Sequence, residues 1–148
     1  MVPERKQLPH DIPRWLDDPS TETYFLTICA EKRGDDLVRG ELPGQLLESI
    51  RFYNGAKKWR VNLAVIMPDH VHFLAAFDGK LAPAVRAWKH WTARHLGVEW
   101  QRDFFEHRVR REESLTAKVS YILDNPVRAG LVEHWDRWPH LWIAERPV

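Results

Sequence analysis

The chain has 148 residues and a mass of 17.5 kDa, which suits one compact domain spanning residues 1–148. Apolar residues make up 44% and charged residues 29%, near the averages for soluble globular proteins, so a disordered or collagen-like chain is excluded. No apolar run approaches the ~18 residues of a membrane span, and the first residues lack the apolar core of a signal peptide. We therefore expect a cytoplasmic protein without a membrane partner. The single cysteine, Cys29, excludes an internal disulfide.

The net charge is only +1, but the charges are unevenly distributed. Residues 1–50 contain 6 basic and 10 acidic side chains, whereas residues 51–148 contain 16 basic and 11 acidic ones. Residues 49–68 and 79–98 each contain four Lys or Arg and no acidic residue. Such stretches fit either a phosphate-binding surface or solvated helix faces whose acidic partners lie elsewhere. The eight tryptophans are equally open to two interpretations, base stacking or core packing.

The first half of the chain predicts a strand, a helix and a hairpin. Residues 1–20 are rich in proline and predict an extended N-terminal arm. Residues 24–30 are rich in β-formers and predict the first strand. Helical spacing of apolar residues then extends from Pro43 to about Gly55. Two further strands, residues 60–67 and 70–77, are joined by the turn sequence Pro68-Asp69 and predict a hairpin.

The second half predicts a helix, a strand and a final helix. Pro83 opens a helix that ends at Gly97, with an apolar stripe of Val85, Trp88, Thr92 and Leu96. Residues 104–109 predict a fourth strand, and residues 115–124 a helix that is capped by Ser114 and stopped by Pro126. The order β-α-β-β-α-β is that of the split ferredoxin-like fold, an α+β antiparallel sheet, here with an additional C-terminal helix. Residues 133–148, with Trp135, Trp138 and Trp142, are expected to pack onto the domain as a tail.

His70 and His72 are the most informative pair of side chains. On a strand, residues i and i+2 point to the same face about 6.6 Å apart, while Val71 points to the opposite side and into the core. Two imidazoles so placed can converge on one divalent ion, although a third ligand must come from elsewhere. The alternative is that both histidines face solvent or are simply hydrogen-bonded.

Tyr121 lies away from the apolar stripe of the last predicted helix. Lys118 and Asn125 lie three residues before it and four residues after it, on a shared flank. A nucleophile, a cation and a neutral oxygen ligand would then face one pocket. The alternative is a boundary tyrosine with its hydroxyl in water.

Several other side chains allow two interpretations each. Arg86, His90 and Arg94 recur every four residues on one helix face, within one of the stretches that lack acidic residues. Asp69 is expected to act as a turn residue and His107 as a structural histidine. Trp91 lies at the edge of the apolar stripe, where it is expected either to pack against the domain or to stack on a base.

Two long motifs stand out, residues 67–74 (MPDHVHFL) and residues 121–132 (YILDNPVRAGLV). In this order and at this spacing they resemble the REP-associated tyrosine transposases of the HUH single-tyrosine superfamily. Residues 5–10 (RKQLPH) and 105–110 (FEHRVR) also resemble that family. The likeness extends over nearly the whole chain.

The resemblance implies a function and a set of site residues. His70 and His72 match the paired metal-binding histidines, Tyr121 the nucleophile, and Asn125 the position of the third metal ligand. The cofactor is then Mg²⁺ or Mn²⁺, and the substrate is single-stranded DNA beside a hairpin, cleaved through a 5′-phosphotyrosine. Lys118 is a candidate for a charge near the reacting phosphate. The candidates for contacts with the DNA backbone are Arg86, Lys89, His90 and Arg94. A monomer is favoured over a dimer, and no small-molecule substrate is expected.

Three other functions remain open at this point. The same fold occurs in RNA-binding domains, although the His70, His72 and Leu74 face fits a metal platform better than a stacking platform. A DNA-binding protein without catalysis is a second alternative. A metal-dependent phosphodiesterase that uses water as its nucleophile is a third.

Overall fold

The protein is built on one antiparallel sheet, with helices on both faces. The computed structural model describes residues 22–109 and 115–144 of the chain. The strand order is β4-β1-β3-β2-β5. The strands are β1 (Thr23–Cys29), β2 (Arg60–Ile66), β3 (His70–Ala76), β4 (Phe105–Val109) and β5 (Leu141–Ile143). The helices are α1 (Leu42–Gly55), α2 (Leu81–Leu96), α3 (Leu115–Leu123) and α4 (Asn125–Arg128), with short 3-10 turns at Asp36–Val38 and Trp135–Arg137.

The predicted α+β, ferredoxin-like arrangement is confirmed. The elements β1, α1, β2, β3, α2 and β4 follow one another in the predicted order, and α3 is the additional C-terminal helix. The β2–β3 hairpin closes at Pro68-Asp69, where the backbone N–H of Met67 donates to the carbonyl of His70 at 2.8 Å. β3 lies between β1 and β2, and because helices pack on both faces of the sheet, every β3 residue after His70 is buried.

Alternation along the strands divides the core into two layers. One face carries β-strand residues such as Val71 and Phe73 and packs against α1 and α2, where Trp59 and Trp88 are fully buried. The other face carries residues such as Phe25 and Leu74 and packs against α3. The site described below lies on this second face, which we call the α3 face.

A β-bulge in β2 keeps both faces of the sheet apolar. The pairing of β2 with β3 shifts by one residue between Val61 and Leu63, so that Asn62 is the extra residue. Val61 therefore faces the α1 and α2 layer, whereas Leu63 and Val65 face α3. The carbonyl of Asn62 accepts a hydrogen bond from the backbone N–H of Ala144 at 2.9 Å.

α2 follows its predicted pattern. Val85, Trp88 and Thr92 are buried, Leu96 is half-buried, and the helix ends at Gly97 in the left-handed conformation (φ 75°). The core position predicted for Trp88 is confirmed, and its indole Nε1 donates to the hydroxyl of Ser49 on α1 at 2.9 Å.

The C-terminal part of the chain contains two elements beyond the predicted ones. α3 ends at Leu123, but the chain then forms the short helix α4. Pro126 fits in the first turn of α4, because the backbone N–H that proline lacks would have no helical partner there. Residues 141–143 then form β5 and pair with β2 at the edge of the sheet. Trp138 is buried beside them and donates its Nε1–H to the carbonyl of Ile66 at 3.1 Å.

The predicted arm over residues 1–20 lies outside the described residues, and so do residues 145–148 of the predicted tail. None of the helices in residues 22–109 and 115–144 is long and apolar enough to cross a bilayer.

Candidate active site

β3 presents two histidines on the α3 face. The His70 and His72 rings lie 4.7 Å apart between centroids, nearly perpendicular to each other. Val71 between them is fully buried on the opposite face, as strand alternation predicts. The two imidazoles are therefore close enough to act on one ligand.

Each histidine is held by a neighbouring polar side chain through its Nδ1. His70 Nδ1 lies 2.8 Å from Asp69 Oδ1, and His72 Nδ1 lies 3.0 Å from Thr27 Oγ1 on β1. With the proton on Nδ1, the Nε2 lone pair of each ring is the one that can bind a metal. Asp69 is thus the turn residue that the sequence predicts and also an orienting partner of His70.

His72 is neutral under physiological conditions. Its pKa is lowered from 6.5 to about 3, mainly by burial and also by the charge of His70, while a backbone hydrogen bond to Leu26 partly opposes both effects. The neutral form is the one that coordinates metals, so burial keeps His72 in its ligating state.

α3 places Tyr121 beside this pair. Its ring centroid lies 6.3 Å from that of His72, and 48% of the residue is exposed. Phe25 lies beneath both, stacked on His72 at 5.3 Å and meeting Tyr121 edge-on at 6.0 Å. Because Val119 and Ile122 of α3 are buried while Tyr121 is not, the helix turns the tyrosine toward the histidines and solvent.

Arg128 covers Tyr121 from the other side, a contact that was not predicted from the sequence. Its guanidinium carbon lies 4.3 Å from the tyrosine ring centroid, and its Nη2 donates to the Tyr121 carbonyl at 3.0 Å. This carbonyl lies in the last turn of α3, where carbonyls lack helical donors. The sequence contains a signal for this contact: Arg128 follows Tyr121 by seven residues, which is two helical turns and so the same side of a helix.

Lys118 and Asn125 flank Tyr121 along the chain. Lys118 is half-buried on α3, with its Nζ 5.7 Å from the Phe25 ring centroid, so its charge lies beside the site. Asn125 is half-buried and begins α4. Its role as a third ligand stays a prediction.

Among the described residues, carboxylates and further histidines do not complete a metal site. Within residues 22–109 and 115–144, no group of three or more His, Cys, Asp or Glu side chains is arranged to hold a metal ion. In that part of the chain a third ligand for His70 and His72 is a donor of another type, and the amide oxygen of Asn125 belongs to that class.

The candidate DNA-binding residues of α2 lie on the other face of the sheet. Arg86, His90 and Arg94 are exposed, but α2 packs on the layer opposite His72 and Tyr121. Lys89 is buried, and its ammonium donates to the carbonyls of Gln101 and Arg102 at 2.7 and 2.8 Å. Burial lowers its pKa, and its geometry is that of a tie between α2 and the following loop. Lys89 is therefore a structural residue, and we do not propose it as a contact with DNA.

β4 brings two more rings to the α3 face. His107 pairs in register with Phe25, and Phe105 pairs with Thr27. His107 is half-buried, whereas Phe105 is 54% exposed with its ring 6.1 Å from that of Phe25. Trp91, by contrast, lies on α2 and stacks on His95 at 4.6 Å.

Two known proteins and one solved structure that are similar to this chain carry the same family name. No protein-family model matches the chain. The REP-associated tyrosine transposase of Escherichia coli is 26% identical over 122 residues, covering 79% of this chain and 73% of that protein. A Haemophilus influenzae protein named for the same family is 32% identical over 94 residues, covering 51% of this chain and 53% of that protein. A solved structure of a REP-associated tyrosine transposase bound to a REP hairpin has a TM-score of 0.71 at 25% identity, covering 82% of this chain and 76% of that one. This chain is similar in sequence and structure to the REP-associated tyrosine transposases.

The resemblance to REP-associated tyrosine transposases drawn from residues 67–74 and 121–132 is thereby confirmed. The two motifs are far apart in the sequence, yet they meet on the α3 face of the sheet. The first motif contributes His70 and His72, and the second contributes Tyr121 and Arg128.

Proposed function

We propose that this chain cleaves and rejoins single-stranded DNA beside palindromic hairpins, with Tyr121 as the nucleophile. The observation that carries the proposal is the half-exposed Tyr121 ring 6.3 Å from His72, whose own ring lies 4.7 Å from that of His70. The relative solved with a REP hairpin supports the choice of substrate.

The residues present fit a divalent metal ion. Both histidines have Nδ1 engaged by a side-chain oxygen, and the buried His72 is neutral. We propose His70, His72 and Asn125 as the ligands, a mixed nitrogen and oxygen set that suits Mn²⁺ or Mg²⁺ with phosphate oxygens completing the shell. When bound there, the ion would polarise the scissile phosphate and neutralise charge in the transition state.

Tyr121 supplies the nucleophilic oxygen. A bond forms between its Oη and phosphorus as the bond from phosphorus to the 3′ oxygen breaks. The phenol proton passes to solvent, and the departing 3′ oxygen takes up a proton. The product is a 5′-phosphotyrosine with a free 3′-hydroxyl. Because the covalent link keeps the phosphodiester energy, a 3′-hydroxyl attacks it in the reverse sense to rejoin a strand without ATP.

Two cations are placed to assist this step. An unperturbed tyrosine is only ~0.1% phenolate at pH 7, so it needs positive charge nearby. We propose that Lys118, which lies over Phe25, stabilises charge on the phosphate. Arg128 holds the ring and the backbone of Tyr121 in place.

The test is covalent capture of DNA by the protein. Labelled hairpin oligonucleotides with single-stranded flanks are incubated with the protein and Mn²⁺, and a denaturing gel shows whether an adduct forms. We expect an adduct that is lost with EDTA, with Tyr121→Phe and with His70→Ala. Tyr53→Phe is the matched control, because Tyr53 lies on α1 in the opposite layer and should leave the adduct unchanged.

Two outcomes would contradict the proposal. Cleavage without an adduct indicates a water nucleophile and removes Tyr121 from the reaction. Binding with neither cleavage nor adduct, across a broad set of hairpins, indicates a DNA-binding protein without catalysis.

A further inference from the structure

Phe105 is an exposed aromatic side chain with no evident structural reason for its exposure. It lies on the edge strand β4, and 54% of it is in contact with water. Its partner in register is Thr27, the residue that holds Nδ1 of His72. Phe105 therefore lies on the α3 face, with β1 between its strand and the strand that carries the two histidines.

A continuous series of rings connects Phe105 with the candidate nucleophile. The Phe105 ring meets Phe25 edge-on at 6.1 Å with an interplanar angle of 70°. Phe25 in turn stacks on His72 and meets Tyr121 edge-on. Since Phe105 is still half in water after making its contact with Phe25, an aromatic ligand has surface to pack against.

The charges beside Phe25 and Tyr121, to which Phe105 is connected, suit a nucleic acid strand. Lys118 lies over Phe25, and Arg128 lies over Tyr121, so the inner side of the surface is positive. On β4 itself, Arg108 is paired with Glu22 at 3.0 Å and adds little net charge. A single strand of DNA that crossed this face would have cations near its phosphates and an aromatic surface on which a base can stack.

We propose that Phe105 stacks on a base of the single-stranded DNA next to the phosphate that Tyr121 attacks. The inference deepens the proposed function and rests on it, because it assigns the path of the strand relative to Tyr121. Phe105 acts as a binding residue that positions the strand and takes no part in the chemical step. Every base has a π-face, so the contact tolerates different sequences.

The test measures binding in the absence of cleavage. All variants carry Tyr121→Phe, and the probes are hairpin oligonucleotides with the fluorescent base 2-aminopurine at successive flanking positions. Removing one stacked base contact by Phe105→Ala should weaken binding about tenfold to hundredfold. It should also restore the fluorescence of one 2-aminopurine position that is quenched when Phe105 is present. Phe105→Trp should keep both the affinity and the quenching.

Phe52→Ala provides the matched control. Phe52 is 69% exposed on α1 in the opposite layer, and its loss should leave both signals unchanged. Because Phe105 is largely exposed, Phe105→Ala should melt within a few degrees of the parent, which separates loss of stacking from loss of fold.

The outcomes separate this inference from the proposed function. Wild-type adduct formation together with unchanged affinity and quenching in Phe105→Ala would overturn the role of Phe105 and leave the strand transfer intact. A position-specific fluorescence change in Phe105→Ala supports stacking even if no adduct forms with any hairpin. In that case only the assignment of Tyr121 fails.

Discussion

Tyr121 is held on two sides by groups of different character. Its ring is nearly perpendicular to that of Phe25, with the centroids 6.0 Å apart, and the guanidinium carbon of Arg128 lies 4.3 Å from its centroid. The same guanidinium binds the tyrosine's own carbonyl. One side chain thus fixes both the backbone and the ring of the proposed nucleophile, which restricts the directions from which a phosphate can approach.

Arg128→Ala should slow adduct formation about tenfold or more at saturating DNA, because small displacements of a nucleophile are costly. Arg128→Lys should recover only part of the rate, since an ammonium lacks the planar fork that contacts ring and carbonyl together. The measurement is a single-turnover time course, with Arg51→Ala on α1 as the control. Arg128→Ala with the wild-type rate would show that the cation over the ring has no part in positioning.

At the residue scale, strand alternation was sufficient to predict His70 and His72 on one face with Val71 on the other. Lys89 and Phe105 could not be assigned in this way. The burial of Lys89 depends on the loop that follows α2 and accepts its hydrogen bonds, and helical periodicity contains no information on that loop. Phenylalanine is a common core residue in strands, so the residue type of Phe105 does not indicate exposure. Its exposure follows from the position of β4 at the edge of the sheet.

Among the elements, those with clear periodicity were predictable, and the short ones were not. β5 has three residues, too few for alternation to distinguish a strand from a loop. α4 was missed because Pro126 reads as a helix stop, although proline is equally suited to the first turn of a new helix. The bulge at Asn62 left no local signal, because its neighbours are all apolar.

Trp138→Ala should lower the free energy of unfolding by about 3 kcal/mol, as expected for a buried tryptophan replaced by alanine. Trp138→Phe should cost about 1 kcal/mol, because it keeps most of the packing and loses the hydrogen bond to the Ile66 carbonyl. Urea titrations measure both, and the more exposed Trp91→Ala should cost less than Trp138→Ala. Equal losses for Trp138→Ala and Trp91→Ala would show that the buried Trp138 contributes no more to stability than the exposed Trp91 does.

On the scale of the whole molecule, the sheet separates two functions. The α1 and α2 layer contains Trp59 and Trp88 and stabilises the fold, whereas the α3 face carries the candidate active site. The basic residues of α2 therefore lie away from Tyr121, and a hairpin bound only to the α3 face would not contact them.

Salt dependence distinguishes DNA bound to the α3 face from DNA that extends to α2. Each lost phosphate contact reduces the slope of log affinity against log salt by about 0.7 for single strands and about 0.9 for duplexes. We expect Lys118→Gln to show such a reduction and Arg94→Gln to keep the wild-type slope. An equal reduction for both would show that the DNA reaches both faces, as the sequence alone suggested.

The bulge in β2 lets the length of that strand change by one residue without exchanging its two layers. Asn62 is the residue that shifts the register between Val61 and Leu63. Without it, Val61 and Leu63 would be neighbours, still paired with Ala75 and Leu74, and would alternate between the two layers as in a regular strand. Loss of a residue between Leu63 and Ile66 would instead change the layer that the neighbouring side chains face. Relatives with the same two layers should therefore lack the residue at Asn62 far more readily than a residue between Leu63 and Ile66.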